Sequence, residues 1–215
     1  MNQFYTAESV TEGHPDKLCD IIADSVLDAC LDHDMFSHVA CEVMATKGNI
    51  IVAGEITSSY EPHIPSIVRS VLQKVGYDPA RYAVQCFIHK QSPDIAAGVD
   101  CSLELRRGRT NGNPLLEMGA GDQGVMVGYA CNETPQMLPL PVVLARRLTN
   151  RLTMVRKSGD VAGLRPDGKA QVTVEYGEDG NPLRLDTVVL SAQHSPEKPM
   201  DELFWQLTDS VPEPA

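Results

Sequence analysis

Hydrophobic periodicity stops between residues 90 and 124 of this 215-residue chain. That stretch holds QSPD, the charged run Arg106-Arg107-Gly108-Arg109, NGNP and GAGDQG, and it is dense in glycine, asparagine and charge. A loop of this length inside a compact chain is as a rule functional or disordered. It separates two runs of regular structure, and what each run can fold into follows from the patterns on either side.

Before the break, Leu18, Ile21, Ile22, Val26, Leu27, Cys30 and Leu31 recur at a helical period and predict a helix over 15–33. Pro15 suits its first position, and Asp16 answers the helix dipole in the first turn. Strands are predicted at 38–46 and 50–57, joined by the three residues Lys47-Gly48-Asn49 as a hairpin. A helix over 64–75 ends at Gly76, and a strand follows at 82–89. After the break come a helix over 141–157, a strand at 171–176, a Gly-Glu-Asp-Gly-Asn-Pro turn, a strand at 184–192 and a helix at 200–210. The order helix-strand-strand-helix-strand is thus followed by helix-strand-strand-helix. If the halves are copies of one α/β unit, the second lacks its last strand and leaves a sheet edge unpaired. The fold class is α/β of the α+β type, with mostly antiparallel or mixed sheets.

The formal charge of −11 argues against passive binding of nucleic acid or an anionic membrane. A phosphate substrate would need local cations or metal to overcome that field. The N-terminus has no basic and apolar leader, and no apolar run is long enough to span a bilayer. The six cysteines form no CxxC pair and fit reduced core positions of a cytosolic protein better than a zinc site.

Several short segments carry residue types suited to chemistry, and each also has a plain structural reading. Glu12-Gly13-His14-Pro15-Asp16-Lys17 puts an imidazole, a carboxylate and an ammonium at a helix start, where free N–H groups bind phosphate. Asp16 can hold a hard cation, since Mg²⁺ takes one or two carboxylates with substrate phosphates; the same residues also serve as a helix cap. Asp16, Asp20, Asp24, Asp28 and Asp32 are spaced by four and read as a solvated stripe, Asp16 excepted. Glu42 and Glu55 lie in the two hairpin strands. They either face water or, if buried, need a monovalent cation or a substrate ammonium. Gly119-Ala120-Gly121-Asp122-Gln123-Gly124 matches GxGxxG, but NPLLEM precedes it and the strand-like VMVGYA follows, so dinucleotide binding is rejected. It is a Gly-rich turn, or a loop bringing Asp122 close to a ligand. Arg165-Pro166-Asp167-Gly168-Lys169 reads as a turn, or as a phosphate and ribose contact through Lys169 and Asp167. No GxSxG, HExxH or Walker A motif supports covalent, zinc or P-loop chemistry.

The joint order of TAESVTEGHPDK, KQSPDIAAGVD, GAGDQG followed by GYACNETPQMLP, LRPDGKAQVTVEY and VVLSAQHS closely resembles S-adenosylmethionine synthase (methionine adenosyltransferase) over essentially the whole chain. The resemblance implies attack of methionine sulfur on C5′ of ATP, loss of triphosphate, and its hydrolysis to phosphate and diphosphate. It casts His14 and Lys169 as catalytic contacts to the phosphates and Asp16 as an Mg²⁺ ligand. Glu42 becomes a K⁺ ligand, Glu55 and Gln91 line the methionine pocket, and Asp122, Asp167 and Lys169 hold ATP, together with His14. It also implies a cytoplasmic homodimer or dimer of dimers with active sites between chains, with neither nucleic acid nor membrane as partner. The family architecture is an interleaved pseudo-threefold. Residues 1–13 with 125–215 then form one unit, 14–100 a second, and 101–124 a mobile loop with a scrap of a third. The chain departs from the family in lacking its later Asp, Arg-Lys and Gly-rich phosphate-loop motifs, and in a longer, more basic stretch at 101–118. A non-catalytic truncated subunit docking on a full-length copy is the alternative. A different Mg²⁺-dependent phosphate hydrolase is a weaker one.

Overall fold

The computed structural model describes residues 3–117, 119–121 and 124–211. Among these, six α-helices and two three-stranded sheets form a mixed α/β fold. The chain divides into two compact units. One comprises 1–18, 72–78 and 128–215; the other comprises 19–71 and 79–127.

The second unit follows the expected order. Helix α1 (Pro15–Leu31) enters it, followed by β2 (His38–Thr46), β3 (Asn49–Thr57), α2 (Ile64–Val75) and β4 (Ala83–His89). β2 and β3 are antiparallel, and β4 lies parallel to β3. Ile22, Val26 and Cys30 of α1, Ile50, Val52 and Ile56 of β3, and Ile64, Val68 and Val71 of α2 are its buried apolar residues among those described. Their spacing is the 3.6 period in the helices and the 2 period in the strand, so one face of each element turns inward. The hairpin turn is tighter than expected. Thr46 pairs with Asn49, which leaves only Lys47 and Gly48 in the turn.

The irregular stretch is also more structured than its pattern predicts. It contains α3 (Pro93–Val99) and α4 (Leu103–Arg106). Ser92 accepts from the Ile95 N–H, and Ser102 accepts from the Leu105 N–H. Each cap satisfies an otherwise unpaired amide. Helices this short leave no readable periodicity. The Ser102 hydroxyl also donates to the Leu116 carbonyl, and the Ser102 N–H donates to Glu117 O, which ties the segment into a closed loop. The strand-like residues Val125, Met126 and Val127 form no strand and are fully exposed.

In the first unit the sheet order is β1-β5-β6, all antiparallel, with β1 spanning Gln3–Val10, β5 Leu164–Tyr176 and β6 Pro182–His194. β1 has no signature in the sequence, since QFYTAESV lacks clean alternation. It nevertheless pairs along its whole length with β5, from Gln3 with Tyr176 to Val10 with Lys169. The third strand therefore comes from the N-terminus and lies beside β5, on the opposite side of the hairpin from the place β4 takes in the other sheet; the edge at β6, where the pattern lacks a strand, has no partner strand among the described residues. β5 is far longer than expected and absorbs Arg165 to Lys169, which is strand and not turn. Pro166 is accommodated because the β5–β6 register shifts between Leu164 and Gly168. Pro166, Gly168, Ala170, Val172, Val174 and Tyr176 are buried in strict alternation. Helix α5 (Leu140–Ser158) covers that face, with Ala145 packed in one cluster with Val172, Val174 and Tyr176. Helix α6 (Met200–Ser210) adds Leu203 to a second cluster with Leu152 and Val155.

Candidate active site

Two motifs about 150 residues apart are clamped together at one corner of the first unit. β1 ends at Val10, whose Cα partner is Lys169. One residue on, Thr11 donates its N–H to Gly168 O at 2.9 Å and its hydroxyl to Pro166 O at 2.7 Å. Thr11 is buried. A Cβ on Gly13 would lie 2.3 Å from Pro166 Cβ, so only glycine permits this approach. Tyr77 Oη donates to Gly13 O at 2.7 Å and pins the loop from the other side. Glu12 is fixed between Arg156 at 2.5 Å and Lys157 at 2.9 Å. These contacts fix the start of α1 relative to the start of β5.

The segments this brings together carry His14, Asp16 and Lys17 on one side and Asp167 and Lys169 on the other. His14 N–H donates to Thr11 O, and His14 O accepts from Leu18 N–H, so the imidazole sits at the mouth of α1. Its Nδ1 accepts from the Asp16 N–H at 3.3 Å. With Nδ1 accepting, Nε2 is the ring nitrogen left to donate outward. The Asp16 carboxylate stands 3.8 Å from Nδ1 and is 90% exposed, free to meet a cation from solvent. Lys17 Nζ donates to Val10 O at 2.8 Å, which keeps a second ammonium at the end of β1. Asp167 and Lys169 alternate with the buried Pro166, Gly168 and Ala170 and so lie on the sheet face that α5 does not cover. Lys169 pairs with Glu8 of β1, and Gln171 Nε2 also donates to Glu8 at 2.8 Å. The Lys169 ammonium foremost, and then the Gln171 amide, hold the Glu8 carboxyl below its ordinary range. Glu8, Glu12 and Tyr77 were not singled out by the sequence. Recognising β1 as a strand would have placed Glu8, Lys169 and Gln171 on one face.

The second unit carries a separate group. Glu42 pairs with Ala53 and Ala40 pairs with Glu55, so the two carboxylates are diagonal neighbours on one sheet face. Such positions are about 7–8 Å apart. This face is the one opposite Ile50, Val52 and Ile56; Glu42 on it is exposed and Glu55 half-buried. Gly54 makes it possible: a Cβ there would lie 2.0 Å from Ala40 O, at φ +146°. His89 is the direct partner of Glu55 across the parallel pair. Two residues beyond, Gln91 has a buried Oε1 with no hydrogen-bond partner among the described residues. A buried acceptor left unpaired is expensive and calls for a missing donor. Asp122 lies outside the described residues.

Among the described residues no three His, Cys, Asp or Glu side chains form a metal cage. The single exposed carboxylate of Asp16 fits Mg²⁺ when phosphate oxygens and water complete the shell, as is usual for that ion. Glu42 offers K⁺ a hard oxygen in the same partial sense. The open groove of about 660 Å³ in the first unit is elsewhere: Val10, Thr11, Glu12, Lys17 and the α5 residues Thr149, Asn150, Thr153, Met154 and Lys157 line it, and none of His14, Asp167 or Lys169 does.

The chain was compared with known protein families. The S-adenosylmethionine synthetase N-terminal domain model matches residues 2–93, and the central domain model of the same family matches residues 117–215. The first match contains GHPDK, Glu42, Glu55 and Gln91, and the second contains GAGDQG and RPDGK. With both sets of motifs matched in order, and with the clamp that joins two of them present in the fold, the chain belongs to the S-adenosylmethionine synthetase family.

Proposed function

We propose that the chain serves methionine adenosyl transfer: ATP, L-methionine and water give S-adenosylmethionine, phosphate and diphosphate. Methionine sulfur attacks C5′ and the C5′–O bond breaks, so triphosphate leaves with the bonding pair. Water then cleaves the triphosphate. The nucleophile is a neutral thioether with no proton to lose, so the protein needs no general base for this step. What it must supply is positive charge where the leaving oxygens gather negative charge.

The corner of the first unit answers that need. His14 donates from Nε2 to a phosphate oxygen, Lys169 meets the polyphosphate as an ammonium, and Asp167 accepts from the ribose. Asp16 would hold Mg²⁺ together with phosphate oxygens, and the ion would supply further charge neutralisation there. In the second unit Glu55 receives the methionine ammonium, and Gln91 Oε1 accepts one of its hydrogens. Glu42 offers K⁺ an oxygen nearby on the same face. Asp122 is assigned to the adenosine by family resemblance alone. The working form in this reading is a cytoplasmic homodimer or dimer of dimers.

The observation that carries the proposal is the clamp Thr11–Gly168–Pro166 with Gly13, which brings His14 and Lys169 to one corner. The test is titration of the chain with Mg·ATP. Lys169→Met and His14→Ala should each weaken binding about tenfold or more, while Asp28→Asn, in the solvated stripe, leaves it unchanged. Equal effects of Asp28→Asn and Lys169→Met would remove the corner from the site. Adenosyl transfer itself is read by S-adenosylmethionine formed from ATP and methionine with Mg²⁺ and K⁺.

A further inference from the structure

Lys169 is not waiting free. Its ammonium sits on one oxygen of Glu8, and the other oxygen receives the Gln171 amide at 2.8 Å. Glu8 is the direct cross-strand partner of Gln171, and Lys169 is the diagonal one, opposite Val10. The two bonds differ in kind. Gln171 is neutral and anchors the carboxylate on the sheet face whether or not the lysine stays. Lys169 is long and flexible, and both charged side chains are more than two-fifths exposed. Surface ion pairs of this sort are worth about 0–1 kcal/mol and yield readily to a stronger anion.

We propose that Glu8 is a positioning residue that holds Lys169 over the open face of the sheet until a polyphosphate displaces it, and that its own charge then weakens the grip on that anion. The inference rests on the reading of Lys169 as a polyphosphate contact. In the empty site Glu8 stands in for the phosphate and keeps the lysine from sampling other rotamers. Once an anion has taken the ammonium, Gln171 still fixes Glu8 in place. A fixed carboxylate within several ångströms of a multiply charged anion repels it by an amount that shifts affinity about tenfold. Lys169 is thus poised before binding, and release of the cleaved phosphates is eased afterwards. Nothing in the sequence marks Glu8 for this role, because the strand that carries it was unrecognised.

The experiment titrates inorganic triphosphate with Mg²⁺ into the wild-type chain and into Glu8→Gln, Glu8→Asp, Lys169→Met and the double variant Glu8→Gln/Lys169→Met. Glu8→Gln should bind about tenfold more tightly, Glu8→Asp should bind like the wild type, and the double variant should bind more tightly than Lys169→Met by a similar factor, because the repulsion acts on the anion itself. A residue that merely supports the strand would change melting temperature without this charge-dependent gain. If Lys169→Met weakens binding but Glu8→Gln does not tighten it, the proposal is overturned while the phosphate role stands. If Lys169→Met binds like the wild type, the phosphate role fails, and the displacement proposal fails with it. Labelling of Lys169 by an amine reagent without ligand then isolates the ion pair. Several-fold faster labelling in Glu8→Gln supports the hold, and equal rates refute it.

Discussion

Replacing Gly13 by alanine puts a methyl group where Pro166 already is. The added carbon would meet Pro166 Cβ at 2.3 Å, its carbonyl carbon at 2.5 Å and its oxygen at 2.6 Å. Backbone and a rigid ring cannot swing away as a long side chain can, so the loop or β5 must move. Overpacking of this kind costs about 1–3 kcal/mol. The movement also strains the Thr11 bonds to Gly168 and Pro166, each worth about 0.5–1.5 kcal/mol. Together the expected loss is about 3 kcal/mol. For a chain of this size each kcal/mol shifts the midpoint by about 2–4 °C, so Gly13→Ala should melt about 6–12 °C lower. Calorimetry on the purified chain reads this, and hydrogen exchange at Thr11 localises it. Gly128→Ala is the control, because nothing lies within 4 Å of its added carbon. The reasoning is refuted if Gly13→Ala melts within a degree of Gly128→Ala. Mg·ATP affinity should fall with the clamp, since His14 and Lys169 lose their common frame.

Other expectations follow from single contacts. Gly54→Ala would place a methyl 2.0 Å from Ala40 O at φ +146°, and should open the β2–β3 pair and drive the chain into the insoluble fraction on expression. Gln91→Met removes a buried acceptor without a partner, so it should raise stability by about 1 kcal/mol in urea unfolding while weakening methionine binding; loss of both together would remove Gln91 from the pocket. Asp34 is held below its ordinary carboxylate value by the Ser59 backbone N–H first and the Phe36 N–H next. A depressed native pKa gives stability that is present above the unfolded value near pH 4 and lost as pH falls through the native one; acid unfolding of Asp34→Asn should therefore be flatter below pH 4 than that of wild type. Burial pushes the Cys41 thiol up to about 11, with Glu42 adding to it, so at pH 8 a thiol reagent followed by mass spectrometry should modify the exposed Cys101 well before Cys41.

The elements with long, periodic apolar faces were legible in the sequence. α1, α2, α5 and the β2–β3 hairpin lie within a few residues of where their patterns put them. Burial of one face leaves its period in the sequence whatever the partner is. The types of His14, Asp16, Asp167 and Lys169 were legible as well, but each motif alone also read as a cap or a turn, and only the joint order of the motifs, through the family resemblance, gave these residues roles. The elements missed are those whose stability comes from far away or from a few atoms. β1 is polar and irregular, and it holds as a strand only because β5 offers it a ladder of hydrogen bonds. Arg165 to Lys169 has the composition of a turn, and the pairing that brackets it, Leu164 with His194 before and Gly168 and Lys169 with Ala192 and Ser191 after, overrides that tendency. The helices α3 and α4 rest on serine caps too local to show as a period.

The sequence by itself determined which residues can carry charge, donate to phosphate or bend sharply, because these are properties of the side chains. It also determined which stretches bury a face, because periodicity records that directly. Only the tertiary structure decided that Thr11 meets Gly168, that Glu8 occupies Lys169, and that Gln91 keeps an unpaired oxygen. The first two depend on the register between strands more than 150 residues apart and on the close approach that Gly13 allows, the third on the packing around Gln91 among the described residues, and no local window of residues encodes any of them.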